Sequence, residues 1–155
     1  GRNGCGKSSL LKLLTGQPIA HTGTLEIGSR LTVSYVPQDM SFLSGSADDF
    51  AAESEIDLTL FKTILRKLDF KRTQFTKDMS EFSMGQKKKV LLARSLCQRA
   101  NLYIWDEPLN YIDVISRLQI ETLILEYKPT MLFVEHDEAF VNDIATKVCR
   151  ISLNQ

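Results

Sequence analysis

The spacing of apolar residues changes several times along the chain, and each change marks an element. Lys7 to Thr15 is dense in leucine (Leu10, Leu11, Leu13, Leu14) and runs into Gly16 and Pro18, which predicts a short buried helix with a stop signal. Leu25 and Ile27 alternate with polar residues, as do Leu31, Val33 and Tyr35. Gly28 and Ser29 lie between, so a small β-hairpin is expected, its second strand ended by Pro37. Ser44 to Glu55 is polar and reads as loop, with one weak helical turn near Asp48. From Asp57 the spacing of Leu60, Phe61, Ile64, Leu65 and Leu68 predicts a helix with one apolar face. Lys71 to Ser80 is polar and irregular, and Ser83 then caps a helix to about Arg99, with Val90, Ala93, Arg94 and Cys97 in register.

The second half alternates more regularly. Leu102 to Trp105 is a continuous apolar run suited to a parallel strand buried on both faces. Asp113 caps a helix to about Tyr127, and Thr130 to Val134 is a second buried strand. Asp137 caps a helix through Phe140, Val141 and Ile144, and Val148 to Leu153 reads as a last strand. This alternation predicts an α/β fold, a mainly parallel sheet flanked by helices.

Composition narrows the class. The chain has 155 residues, 43% hydrophobic and 25% charged, which suits one globular domain and excludes disorder and low complexity. No apolar run approaches the roughly 18 residues of a membrane-spanning helix. Lys plus Arg equals Asp plus Glu at 19 each, so overall charge does not drive nucleic-acid binding. The local run Lys87-Lys88-Lys89 reads either as a solvated helix face or as a contact with RNA. Three cysteines without metal-type spacing point to a reducing compartment, hence a cytoplasmic protein. Cys97 and Cys149 read as small core residues and His21 as an ordinary loop residue.

Two motifs carry chemistry. Gly1-Arg2-Asn3-Gly4-Cys5-Gly6-Lys7-Ser8 matches the phosphate-loop pattern G-x-x-x-x-G-K-[ST]. Glycines let backbone N–H groups turn around phosphate oxygens. Lys7 places a positive charge beside the β- and γ-phosphates, Ser8 offers a hydroxyl to Mg²⁺, and Ser9 extends the binding stretch into the helix whose positive end faces the anion. The chain is therefore expected to be a partial domain, 1–155, starting inside the loop and lacking the strands before it. The second motif is an apolar strand ending in Asp106-Glu107-Pro108. By itself an acidic strand end is an ordinary solvated edge. After a phosphate loop it reads as the Walker B segment, with Asp106 on Mg²⁺ and Glu107 as general base for the attacking water.

Three more stretches narrow the class further. Val36-Pro37-Gln38-Asp39 ends a strand with an amide, Glu81-Phe82-Ser83-Met84-Gly85-Gln86 opens a helix, and Phe133-Val134-Glu135-His136-Asp137 ends a strand with a histidine. Their order resembles the ATP-binding-cassette ATPases over nearly the whole chain. By that resemblance Gln38 is the Q-loop residue contacting Mg²⁺ and water, and His136 is the switch histidine at the γ-phosphate. Ser83, Met84, Gly85 and Gln86 are the signature motif and Asp113 is the D-loop residue; these reach ATP held by a partner cassette. ATP and Mg²⁺ are the implied cofactors. Met84 stands where the family has its first signature glycine, and Phe82 where it has leucine.

Within that superfamily Asp106-Glu-Pro-Leu-Asn110-Tyr-Ile-Asp113 and the basic continuation Lys87-Lys88-Lys89-Val90 resemble the ABC-F group, tandem-cassette ATPases that act on ribosomes. The short interval from Gln38 to Ser83 is similar to their second cassette, and Leu109, Tyr111 and Ile112 resemble the ribosome-protection subgroup that confers antibiotic resistance. The implied partners are a second cassette, normally in the same chain, and the ribosome with its RNA; no membrane segment is implied. The isolated fragment is expected to hydrolyse little ATP. An ATPase subunit of a membrane transporter shares every catalytic residue and stays open as the alternative. A non-hydrolysing regulatory cassette also stays open, although Glu107 and His136 are both present.

Overall fold

The computed structural model describes residues 6–151, so Gly1, Asn3, Gly4 and Cys5 of the predicted phosphate loop lie outside the described residues. Helix α1 spans Lys7–Leu14 and buries Leu11. Strand β1 is Val33–Val36. Helices α2 (Ala47–Glu53) and α3 (Leu58–Lys67) follow, and two single 3₁₀ turns lead to α4 (Met84–Cys97). Strand β2 (Leu102–Asp106), α5 (Val114–Tyr127), β3 (Met131–Val134) and α6 (Glu138–Ile144) complete the order.

Helix starts follow side-chain chemistry. Ser46, Asp57, Ser83, Asp113 and Asp137 each accept a hydrogen bond from the backbone N–H three residues on, satisfying a donor the helix leaves open. Ser83 and Gln86 form a reciprocal capping box: Gln86 N–H donates to Ser83 Oγ at 3.3 Å and Ser83 N–H to Gln86 Oε1 at 2.9 Å.

The strands form one parallel sheet in the order β1-β2-β3, with Val36 opposite Trp105 and Asp106 opposite Val134. Parallel pairing puts the three carboxyl ends on one edge, where open α/β sheets bind ligands. The core gathers around Trp105, Phe61, Leu65, Leu91 and Phe140, all essentially without exposure. A buried polar chain ties α4 to the sheet. Trp105 Nε1–H donates to Ser95 Oγ at 2.9 Å, the Ser95 hydroxyl to Ser34 Oγ at 2.7 Å, and the Ser34 hydroxyl to Gln98 Oε1 at 2.7 Å. Each hydroxyl thus gives one bond and takes one, as buried hydroxyls require.

The structure departs from the pattern reading in several places. Leu25 and Ile27 belong to no strand and are exposed, so the expected hairpin does not form. Its second arm pairs with β2 instead and is covered on both faces: Ser34 and Val36 are buried while Val33 and Tyr35 are half-buried. Residues 47–53 are a helix rather than loop, because Ser46 caps them and Ala47 and Ala51 pack inward. On α3, Leu60 faces solvent at 46% exposure. Residues 148–151 form no strand, and Ser152 and Leu153 lie outside the described residues. Cys97 is half-buried and packs against the core, whereas Cys149 is exposed and is not a core residue. The lysine run is not a solvated face: Lys88 is fully buried and Lys89 is 8% exposed, because α4 is enclosed by α3, β1 and the segment after β2.

Candidate nucleotide-hydrolysis site

The carboxyl ends of the three strands converge on Glu107. Gln38, just past β1, donates its Nε2–H to Glu107 Oε2 at 2.8 Å. Asn110 donates Nδ2–H to the same oxygen at 2.5 Å, and His136 Nε2 lies 3.4 Å from Oε1. Glu107 has φ +49°, a left-handed conformation that non-glycine residues rarely adopt, and its N–H is held by Val134 O at 2.9 Å. A strained residue anchored by backbone and side chain is a common feature of reactive sites. The sequence-predicted trio Gln38, Glu107 and His136 is therefore one cluster.

Asp106 is 1% exposed, and neither carboxylate oxygen has a hydrogen-bond partner among the described residues. Buried carboxylates without partners are costly, and an oxygen-seeking divalent cation or its water satisfies such a group. The donor set of Asp106, the Gln38 amide and the Ser8 hydroxyl fits Mg²⁺. On the loop side, Gly6 has φ +87° and opens α1, so its left-handed turn is one only glycine makes without strain. Lys7 and Ser8 begin α1 and are half-buried, Ser9 is exposed, and α1 packs against β2, the strand that carries Asp106.

The signature residues occupy the start of α4. Ser83 and Gln86 spend their side chains on the capping box, and Met84 is 45% exposed. Gly85 has a tertiary reason: a Cβ built there would lie 2.5 Å from Tyr111 O. Asp113 caps α5 and pairs with Lys89 Nζ at 2.6 Å. Burial works to raise the Asp113 carboxyl, but the Lys89 ammonium and two Ser116 donors outweigh it and hold it at about 2.

Three supporting residues were not assigned a place in the site by the motif reading. Glu135 Oε2 accepts from Leu109 N–H at 3.1 Å and Oε1 from His136 N–H at 2.7 Å, pinning the β2 and β3 loops together. Asn110 stood out only as a family marker. Lys88 donates to Pro37 O at 3.3 Å and Asp106 O at 3.4 Å. Burial pushes its ammonium down, opposed by the charges of Asp106, Glu107 and Glu135. The buried run 88–93 within α4 identifies Lys88, and no local periodicity announces that. An open cleft beside the cluster is bordered by Asn110, Arg117, Glu135, His136 and Asp137.

The ABC transporter family model matches residues 1–110. The chain belongs to this family. It is an ATP-binding-cassette ATPase domain of P-loop α/β fold. It is 35% identical to YdiF of Bacillus subtilis, over 98% of this chain and 24% of that protein. It is 29% identical to ABC transporter F family member 2 of Arabidopsis thaliana, over 97% of this chain and 23% of that protein. A solved complex of the archaeal ribosome recycling factor aABCE1 with the ribosomal stalk protein aP1 matches at TM-score 0.73 and 28% identity, covering 93% of this chain and 29% of that one. The chain thus spans about a quarter of the curated relatives it matches. Among the described residues, no helix is long and apolar enough to cross a membrane.

Proposed function

We propose that this chain is one cassette, 1–155, of a longer ABC-F-type ATPase that works in the cytoplasm as a nucleotide-gated switch on the ribosome and protects it against antibiotics. The observation that carries the catalytic part is the convergence of Gln38, Asn110 and His136 on the two oxygens of Glu107. Lys7, Ser8, Ser9 and the preceding loop bind the triphosphate. Asp106, Gln38 and Ser8 hold Mg²⁺, which when bound supplies charge neutralisation to the phosphates. Glu107 accepts the proton of the attacking water, Gln38 and Asn110 aim its carboxylate, and His136 donates toward the transferring phosphoryl group. Ser83, Met84, Gly85, Gln86 and Asp113 face ATP on a partner cassette, so that closure follows binding and opening follows hydrolysis.

The ribosomal part rests on the Asp106–Asp113 stretch and on relatives whose names carry the F family or ribosome recycling. An ATPase subunit of a membrane transporter is the second reading, favoured by the description of the matching family. Glu107→Gln in the intact protein tests the chemistry. Phosphate release is expected to fall about a hundredfold or more with ATP still bound; unchanged release refutes the base assignment. Sedimentation of that ATP-loaded variant with ribosomes supports the ribosomal reading, and sedimentation with membranes supports the transporter. Resistance of cells expressing the intact protein to ribosome-targeting antibiotics tests the last step.

A further inference from the structure

The β1–β2 ladder stops just before the site. Its register places Val36 opposite Trp105, so the next pair is Pro37 opposite Asp106. The pairing ends one residue short of that pair, at Val36. The carbonyls of both residues instead accept from one ammonium, Lys88 Nζ, at 3.3 and 3.4 Å. Lys88 itself has no exposure. The next residues along the two strands are Gln38 and Glu107, the pair joined at 2.8 Å in the site.

Helix α4 grips the loop after β2 at two further points. Gly85 lies against the Tyr111 carbonyl, and Lys89 pairs with Asp113 at 2.6 Å. The helix that opens with the signature residues therefore touches both ends of the 106–113 segment, and Lys88 also reaches Pro37, just past β1.

We propose that Lys88 is a positioning residue that clamps the carbonyls of Pro37 and Asp106 together where the β1–β2 ladder ends, sets the separation of Gln38 from Glu107, and so transmits movement of α4 to the hydrolytic carboxylate. The inference deepens the ATPase reading above and rests on Glu107 as its base. A solvated lysine on α4 would leave both carbonyls to water; a buried one makes the strand ends and the helix move together.

The test uses Lys88→Met, which keeps the stem and removes the donors, and Lys88→Gln, which keeps a neutral donor. Both are made in the intact protein with Glu107→Gln as control. In Lys88→Met, kcat is expected to fall about tenfold with KM for ATP held within about threefold, and Lys88→Gln is expected to recover part of that loss. Hydrogen exchange of the nucleotide-free protein is expected to quicken over residues 36–40 and 105–110 while α3 is unchanged. Exchange needs no catalysis, so it fails or succeeds separately from the general-base assignment that Glu107→Gln reads. Turnover of Lys88→Met within twofold of the parent, unchanged exchange at both strand ends, exchange raised equally in α3, no recovery in Lys88→Gln, or failure of both variants to fold each overturns the proposal.

Discussion

Gly85→Ala separates two reasons for a glycine in the signature segment. A partner-cassette contact alone predicts lost turnover with an unperturbed resting domain. The packing seen here predicts that the resting domain suffers too. The added Cβ would lie 2.5 Å from Tyr111 O and 3.6 Å from Tyr111 C, and real Cβ contacts essentially never fall under 3.0 Å. The carbonyl must retreat by roughly 0.5 Å, the difference between those two distances. It belongs to backbone at φ +66° and cannot swing aside as a side chain would. Overpacking of this kind costs about 1–3 kcal/mol. Alanine regains at most about 1 kcal/mol of helix propensity, and less in a first turn. The net is destabilisation of about 1–2 kcal/mol, concentrated where α4 meets the 107–113 segment. Hydrogen exchange of that segment, urea unfolding and phosphate release in the intact protein measure it. Faster exchange over 107–113 with reduced turnover is expected. Parent-like unfolding and exchange, with only turnover lost, would refute the packing argument and leave the glycine to its partner.

Asn110→Ala removes one donor from Glu107 Oε2 and leaves Gln38 in place, so turnover should fall about tenfold with ATP affinity retained, as steady-state phosphate release and nucleotide titration will show. The Asp113 carboxyl lies at about 2 when folded against an ordinary 3.8, so its contribution to stability is complete above about pH 4 and disappears as pH falls through 2. Lys89→Met should therefore be less stable than the parent near neutrality, by under about 1 kcal/mol because the Asp113 carboxylate is half-exposed, and the gap between their urea midpoints should close between pH 4 and pH 2. A gap that does not change with pH would sink that assignment.

Local chemistry decided much of this molecule before any packing. Ser83, Asp113 and Asp137 begin helices because their side chains satisfy N–H groups a few atoms away. β1 stops at Val36, immediately before Pro37, the residue expected to end it. The residue types needed at the site, Gln38, Asp106, Glu107 and His136, were legible because phosphate chemistry restricts them and each sits in its own short local motif. Partners across the sequence were not. Val33 and Tyr35 alternate as one arm of a hairpin would, yet alternation does not name the neighbouring strand, and β2 supplied it. Lys87-Lys88-Lys89 reads as a solvated face in one dimension because charge is costly to bury. Enclosure of α4 on nearly every side overrides that, and the strand-end carbonyls of Pro37 and Asp106 give the Lys88 ammonium its bonds. Hydrogen bonds across dozens of residues, such as Gln38 to Glu107, depend on which strands lie side by side, and only the folded sheet determines that.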